Sequence, residues 1–143
     1  MGKPARLAFA DGPRERGRKQ VERHVRACLR ILIVDDEPEL AEGLAEMLAL
    51  LGYPVEIAGD EEDALDRARA HAFDIAFVDS RMPTMHGSDL FFEIRRVMPT
   101  ARVVMMTGFR EPILDRALQA GAEGTLLKPF SIKDMLQTIE TAP

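Results

Sequence analysis

Five residues could do chemistry together. Asp35 and Asp36 end the apolar run Ile31–Val34, Asp79 ends "DIAFVD", Thr107 ends "ARVVMMT", and Lys128 precedes Pro129 in "GTLLKPF". Carboxylates packed side by side repel and raise one another's pKa, and a hard divalent cation relieves that repulsion. Mg2+ takes oxygen ligands, typically one or two carboxylates with waters and phosphate oxygens. Asp36 and Asp79 suit direct ligation, and Asp35 suits ligation through a water. A metal alone needs neither Thr107 nor Lys128, whereas a phosphoryl group has use for both. An Asp carboxylate can act as a nucleophile and form an acyl phosphate. The transferring group spreads charge over three oxygens, so Mg2+ could take one, the Lys128 ammonium a second and the Thr107 hydroxyl a third. Asp79 is the natural acceptor, because its strand is central to the set.

These residues lie far apart in the chain, so the fold must bring them together. The pattern predicts strands over Arg30–Val34, Val55–Ala58, Asp74–Asp79, Ala101–Thr107 and Gly124–Leu127. Helices are predicted over Pro38–Leu51, Glu61–Ala72, Gly87–Val97, Glu111–Ala120 and Ser131–Thr141. Leu40, Leu44, Met47, Leu48 and Leu51 are expected on one face of the first, and Leu90, Phe91, Ile94 and Val97 inward on the third. Asp60 is an expected N-cap, and Ser131 with Asp134 forms a capping pattern. Strands alternating with helices of this length point to a parallel sheet covered on both faces. Apolar strands without alternation fit the same arrangement. Ligands of such sheets bind at the carboxyl ends of the strands, where the five residues lie. Met105 and Met106 read as core.

Composition narrows the class. The 143 residues are 46% hydrophobic and 30% charged, which suits one globular domain. The single cysteine, Cys28, excludes an internal disulfide and fits a reducing compartment. The first thirty residues hold no apolar run longer than Leu7–Ala10, short of a signal peptide's ~7–15 residues. Nothing approaches the ~20 apolar residues of a membrane span. A cytoplasmic protein without membrane attachment is the expectation. Residues 1–30 carry nine Lys/Arg against three Asp/Glu, whereas residues 31–143 carry ten against twenty-one. The acidic body therefore lacks the basic footprint of a nucleic-acid binder. Residues 1–29 read as a basic lead-in or linker. From about Arg14 it could be helical, with Val21, Val25, Cys28 and Leu29 on one side. His24, His71 and His86 are too scattered for a metal cluster.

The blocks "ILIVDDEPEL", "DIAFVDSRMPTMHGSDL", "ARVVMMTG" and "GAEGTLLKPFS" together resemble the receiver domain of two-component response regulators. The resemblance covers residues 30–143 apart from the last two and implies a flavodoxin-like, doubly wound, five-stranded parallel sheet of order 2-1-3-4-5 with five helices. It implies a signalling switch: Asp79 as phosphoacceptor, Thr107 and Lys128 as its assisting residues, and Mg2+ held by Asp35, Asp36, Asp79 and the Arg81 backbone carbonyl. It implies a sensor histidine kinase or phosphotransfer protein as donor, a cis peptide before Pro129, and an unidentified downstream target. In that reading the chain promotes only its own phosphorylation and dephosphorylation.

Three positions depart from the family pattern. Thr125 stands where a Tyr or Phe usually couples to Thr107 in switching, so signalling would use another surface or a homodimer. Arg81, two residues after Asp79, places a long cation where it could modulate the lifetime of the phosphate. His86 replaces a common Asp. Two other readings compete. A degenerate receiver would act as an unphosphorylated interaction module, which Thr125 favours and the intact Asp79, Thr107 and Lys128 oppose. A phosphohydrolase with an Asp nucleophile commonly shows Asp-x-Asp after the first strand, and Glu37 occupies the third position here.

Overall fold

Apolar runs become central strands when both of their faces are covered, and that condition holds here. The computed structural model describes residues 29–82, 87–108, 118–119 and 121–141. In chain order it contains β1 (Ile31–Val34), α1 (Pro38–Leu50), β2 (Val55–Ala58), α2 (Glu61–Ala70), β3 (Ile75–Asp79), α3 (Gly87–Val97), β4 (Arg102–Thr107), β5 (Gly124–Leu127) and α4 (Ile132–Glu140). The five strands are all parallel, in the order β2-β1-β3-β4-β5. This is the expected flavodoxin-like sheet, with four helices among the described residues. The helix expected over Glu111–Ala120 and the helical half of the lead-in lie outside those residues, apart from Leu118 and Gln119.

Side chains alternate across the sheet and sort into two cores. Leu32, Val34, Ala76, Val78, Val103 and Met105 pack on one face with Ala64 and Ala68 of α2 and Leu90, Phe91 and Ile94 of α3. Ile31, Ile33, Ile75, Phe77, Val104 and Met106 pack on the other with Ala41, Leu44 and Leu48 of α1 and Met135 and Ile139 of α4. The adjacent methionines Met105 and Met106 therefore enter different cores, and both are fully buried. Val97 is only partly buried beside the first core.

Local chemistry sets the element ends. Asp60 caps α2 by accepting the Asp63 N–H at 2.7 Å. Ser131 and Asp134 complete a reciprocal capping box on α4. Pro38 opens α1 at a position where its missing N–H costs nothing. Gly52, at φ 100°, turns the chain after α1. At the far end of α4, Arg102 of β4 donates to the carbonyls of Ile139 (3.1 Å) and Thr138 (2.8 Å), satisfying acceptors that a helix end leaves open. Helix α2 stops at Ala70, two residues early, because His71 is extended at φ −134° and ψ 149°. Arg30, Asp74 and Ala101 flank their strands instead of joining them.

The buried stripe of α1 corrects one expectation. Ala41, Leu44 and Leu48 are buried, but Met47 is 46% exposed and Leu51 only half-buried. At about 100° per residue, Met47 lies on the edge of the stripe, turned away from Leu48 and Ala41. The core centre follows the small residue Ala41, which lets α1 approach β1 closely. Replacement of Leu48 by Ala is expected to cost about 2–5 kcal/mol in urea unfolding, and Met47→Ala to stay near the ~0.5 kcal/mol typical of surface changes. Comparable losses at the two sites would contradict this placement.

Candidate functional site

Strands β1, β3 and β5 deliver charged groups to one edge of the sheet because parallel strands share a carboxyl end. Asp35 follows β1, Asp79 ends β3 and Lys128 follows β5. The Lys128 ammonium lies 2.8 Å from Asp35 Oδ2, 3.6 Å from Asp79 Oδ2 and 3.5 Å from Glu37 Oε1. Asp35 and Asp79 are buried and Asp36 is exposed. Oxygens of Asp35, Asp36 and Asp79 all fall within 4.8 Å of one another. The anticipated carboxylates and the ammonium thus converge.

Asp35 has both oxygens engaged: Oδ2 accepts from Lys128, and Oδ1 accepts the Glu37 N–H at 2.9 Å. Neither Asp35 nor Asp36 is the N-cap of α1; that position belongs to Glu37, whose side chain makes no cap bond. Asp79 Oδ1 accepts the Arg81 N–H at 3.1 Å, and the Arg81 side chain is exposed. Thr107 is buried, and β3–β4 register sets it one residue beyond Met106, the partner of Asp79. Its carbonyl accepts the Lys128 N–H at 2.6 Å, tying the ends of β4 and β5 together. The Lys128–Pro129 peptide is cis. Thr125 is exposed on β5, paired in register with Met105, and stands apart from this cluster.

Electrostatics distinguish the groups. Burial pushes the Asp79 carboxyl up to about 6, with the Asp35 and Asp36 charges adding to the shift and the Arg81 N–H and Lys128 opposing it. For Lys128, burial works against the charged form. The Asp35 hydrogen bond and charge, helped by Asp79 and Glu37, outweigh it and hold the ammonium above its ordinary value. The site is therefore a fixed cation beside a carboxyl that resists ionising on its own. An all-oxygen donor set of this kind fits a hard cation.

Two features escaped sequence reasoning. Glu37 shares Lys128, and the only sequence signal for it is a third acid in a row. Ser80 is buried, and among the described residues its hydroxyl has no hydrogen-bond partner, which nothing in its neighbours' types announces. His71 belongs to a separate group, with Nδ1 at 2.8 Å from Glu56, which also pairs with Arg30 and Arg67. Among the described residues no helix is long and apolar enough to cross a membrane.

Comparison with known proteins gives concordant results. The pattern of one family, the response regulator receiver domain, matches residues 31–140. The transcriptional regulatory protein PdtaR of Mycobacterium tuberculosis is 40% identical over 117 residues, which is 79% of this chain and 56% of that protein. The chain spans about half the length of the curated relatives it matches. A CheY-like response regulator receiver domain protein from Methanospirillum hungatei superposes with a TM-score of 0.75 at 31% identity, covering 78% of this chain and 90% of the other. A response regulator from Burkholderia pseudomallei, solved with a phosphorylated aspartic acid, calcium ion and citrate, gives 0.74 at 29% identity, covering 79% and 67%.

The raised Asp79 pKa has a stability consequence with a definite sign. Its neutral form is favoured in the fold, so the associated stability is full below the ordinary value of 3.8 and is lost as pH rises through about 6. The amide introduced by Asp79→Asn stays neutral throughout. In chelator-containing buffer near pH 8 that variant is expected to be more stable than wild type, by up to about 3 kcal/mol. The difference should shrink as pH falls through about 6 and vanish near 4. Urea midpoints across pH measure it, and a gap that widens on acidification would refute the assignment.

Proposed function

The chain belongs to the response regulator receiver domain family, and on that premise we propose that it is a phosphorylation-dependent signalling switch. The observation that carries the reading is the Lys128 ammonium, 3.6 Å from an Asp79 oxygen and inside a ring of carboxylates. Asp36 and Asp79, with the Arg81 carbonyl, would hold Mg2+ directly. Asp35 is committed to Lys128 and Glu37, so it would act through a water. When bound, the cation supplies positive charge that offsets the carboxylates and the incoming phosphoryl oxygens.

The chemistry of the chain's own groups follows. The ionised Asp79 carboxylate attacks the phosphorus of a phosphohistidine on a sensor histidine kinase or phosphotransfer protein. The new O–P bond forms as the N–P bond breaks, and the bonding pair leaves with the imidazole nitrogen. Lys128 then exchanges part of its attraction to Asp35 for one phosphoryl oxygen, and the Thr107 hydroxyl donates to another. Phosphorylation adds about −1.5 to −2 charges and three acceptor oxygens. Driving a two-state domain from 1:99 to 99:1 requires about 5.5 kcal/mol, and charge-assisted bonds are the strongest available source. With Thr125 in place of an aromatic, the changed state is read by a downstream protein or a second copy without a ring swinging inward. The chain transforms no separate substrate and acts in the cytoplasm.

The exposed Arg81 side chain gives the site its own timing. It can pair with the phosphoryl group or obstruct the water that hydrolyses it. Incubation with Mg2+ and acetyl phosphate should place one phosphate on wild-type protein and none on Asp79→Ala, read by intact mass. Lys128→Ala should incorporate far more slowly. Arg81→Ala should change the rate of phosphate loss by several-fold, and identical rates would remove Arg81 from the mechanism. Absence of any adduct with Mg2+ present would favour the unphosphorylated interaction module, the reading that Thr125 supports.

A further inference from the structure

Ser80 follows Asp79 directly and is 1% exposed, and among the described residues its hydroxyl has no hydrogen-bond partner. Native folds seldom leave a buried polar group unsatisfied, and each instance calls for a reason. A lone buried hydroxyl costs the resting fold its desolvation, so alanine, nearly the same size, would be the more stable choice if the hydroxyl had no task.

The pairing of β3 with β4 supplies a task. Their register runs up to Asp79 opposite Met106, and the Ser80 N–H continues the ladder by donating to the Met106 carbonyl at 2.8 Å. The next pair in that register is Ser80 and Thr107. Two residues earlier, Val78 and Met105 stand opposite one another, and both belong to the core that packs on α2 and α3. Side chains repeat every second residue along a strand, so Ser80 and Thr107 share that face. Adjacent strands lie ~4.8 Å apart, and two hydroxyls carried on Cβ can close that gap by rotation about χ1. On the other side, the register partner of Thr107 is Leu127, whose side chain forms no hydrogen bonds. Of the two positions flanking Thr107 across the sheet, Ser80 is therefore the polar one. Thr107 is also 1% exposed, so the pair is shielded from bulk water.

We propose that Ser80 is a positioning residue for Thr107 in the phosphorylated state: the Ser80 hydroxyl donates to Thr107 Oγ1 while the Thr107 hydroxyl donates to a phosphoryl oxygen. The inference rests on the phosphorylation switch proposed above and deepens it. Phosphorylation brings three acceptor oxygens to Asp79 and draws the Thr107 proton toward one of them. A hydroxyl that donates its proton still accepts through its lone pairs, and each bond in such a chain polarises the next. The Ser80 hydroxyl is unsatisfied at rest and satisfied once the phosphoryl group is in place, so it biases the equilibrium toward the switched form. That bias is built into β3 and β4 and needs no aromatic ring at the exposed position 125.

Beryllofluoride, a tetrahedral stand-in for a phosphoryl group on a carboxylate, reads this bias in calorimetric titrations of the full chain at saturating Mg2+. Ser80→Ala should bind it roughly two- to ten-fold more weakly than wild type, the range of one net hydrogen bond. In Mg2+-free buffer the urea midpoint of Ser80→Ala should equal or exceed that of wild type, because the resting fold loses an unsatisfied hydroxyl. Thr107→Val should weaken beryllofluoride binding by itself, and adding Ser80→Ala should then cost no further affinity. Thr107→Ser keeps the hydroxyl and should keep the full dependence on Ser80. Equal affinity of Ser80→Ala and wild type, the same loss in the Thr107→Val background, or a urea midpoint lowered by Ser80→Ala would each overturn the proposal. Failure of wild type to bind beryllofluoride would remove the switch reading and this role of Ser80 together, whereas binding by wild type and Ser80→Ala alike would remove the role of Ser80 alone.

Discussion

The structure turns on one electrostatic problem: two carboxylates, Asp35 and Asp79, are buried at the end of a parallel sheet with a third, Asp36, beside them. Like charges so close are unfavourable in a low-dielectric setting. Lys128 supplies the intrinsic remedy, because its ammonium pairs with Asp35 and lies near Asp79. The remedy is partial, since Asp79 keeps a raised pKa. Lys128 alone does not balance the charges of Asp35, Asp36 and Asp79, and an acidic oxygen cluster of this kind suits a hard cation.

The rest of the fold holds this arrangement in place. Lys128 and Asp35 are 93 positions apart in sequence, and only the sheet joins them. The β1–β3 and β3–β4 registers fix Asp79 between its neighbours. The Thr107 carbonyl accepts the Lys128 N–H, so the lysine backbone is fastened to the strand that carries the hydroxyl. Two separate cores, one on each face, make the sheet a rigid platform. A site assembled on strand ends can then be polar and strained in charge without softening the interior.

Charge is also divided along the chain. The described body is acidic, with an uninterrupted acidic wall on α1, and the front segment is basic.

Much was legible in the sequence alone because it follows local rules. The apolar runs at residues 31–34 and 75–79 marked strands, Asp60 and the Ser131–Asp134 pair marked helix starts, and the order of strand ends named Asp35, Asp36, Asp79, Thr107 and Lys128 as a set. Periodicity could not place the centre of the α1 stripe, since Met47 and Leu48 are equally apolar as letters and burial depends on how closely Ala41 lets the helix approach. Nor could it tell which aspartate of the adjacent pair is taken by Lys128. That was decided by tertiary structure, because a strand's last residues alternate in direction and only the position of β5 determines which of them the ammonium meets.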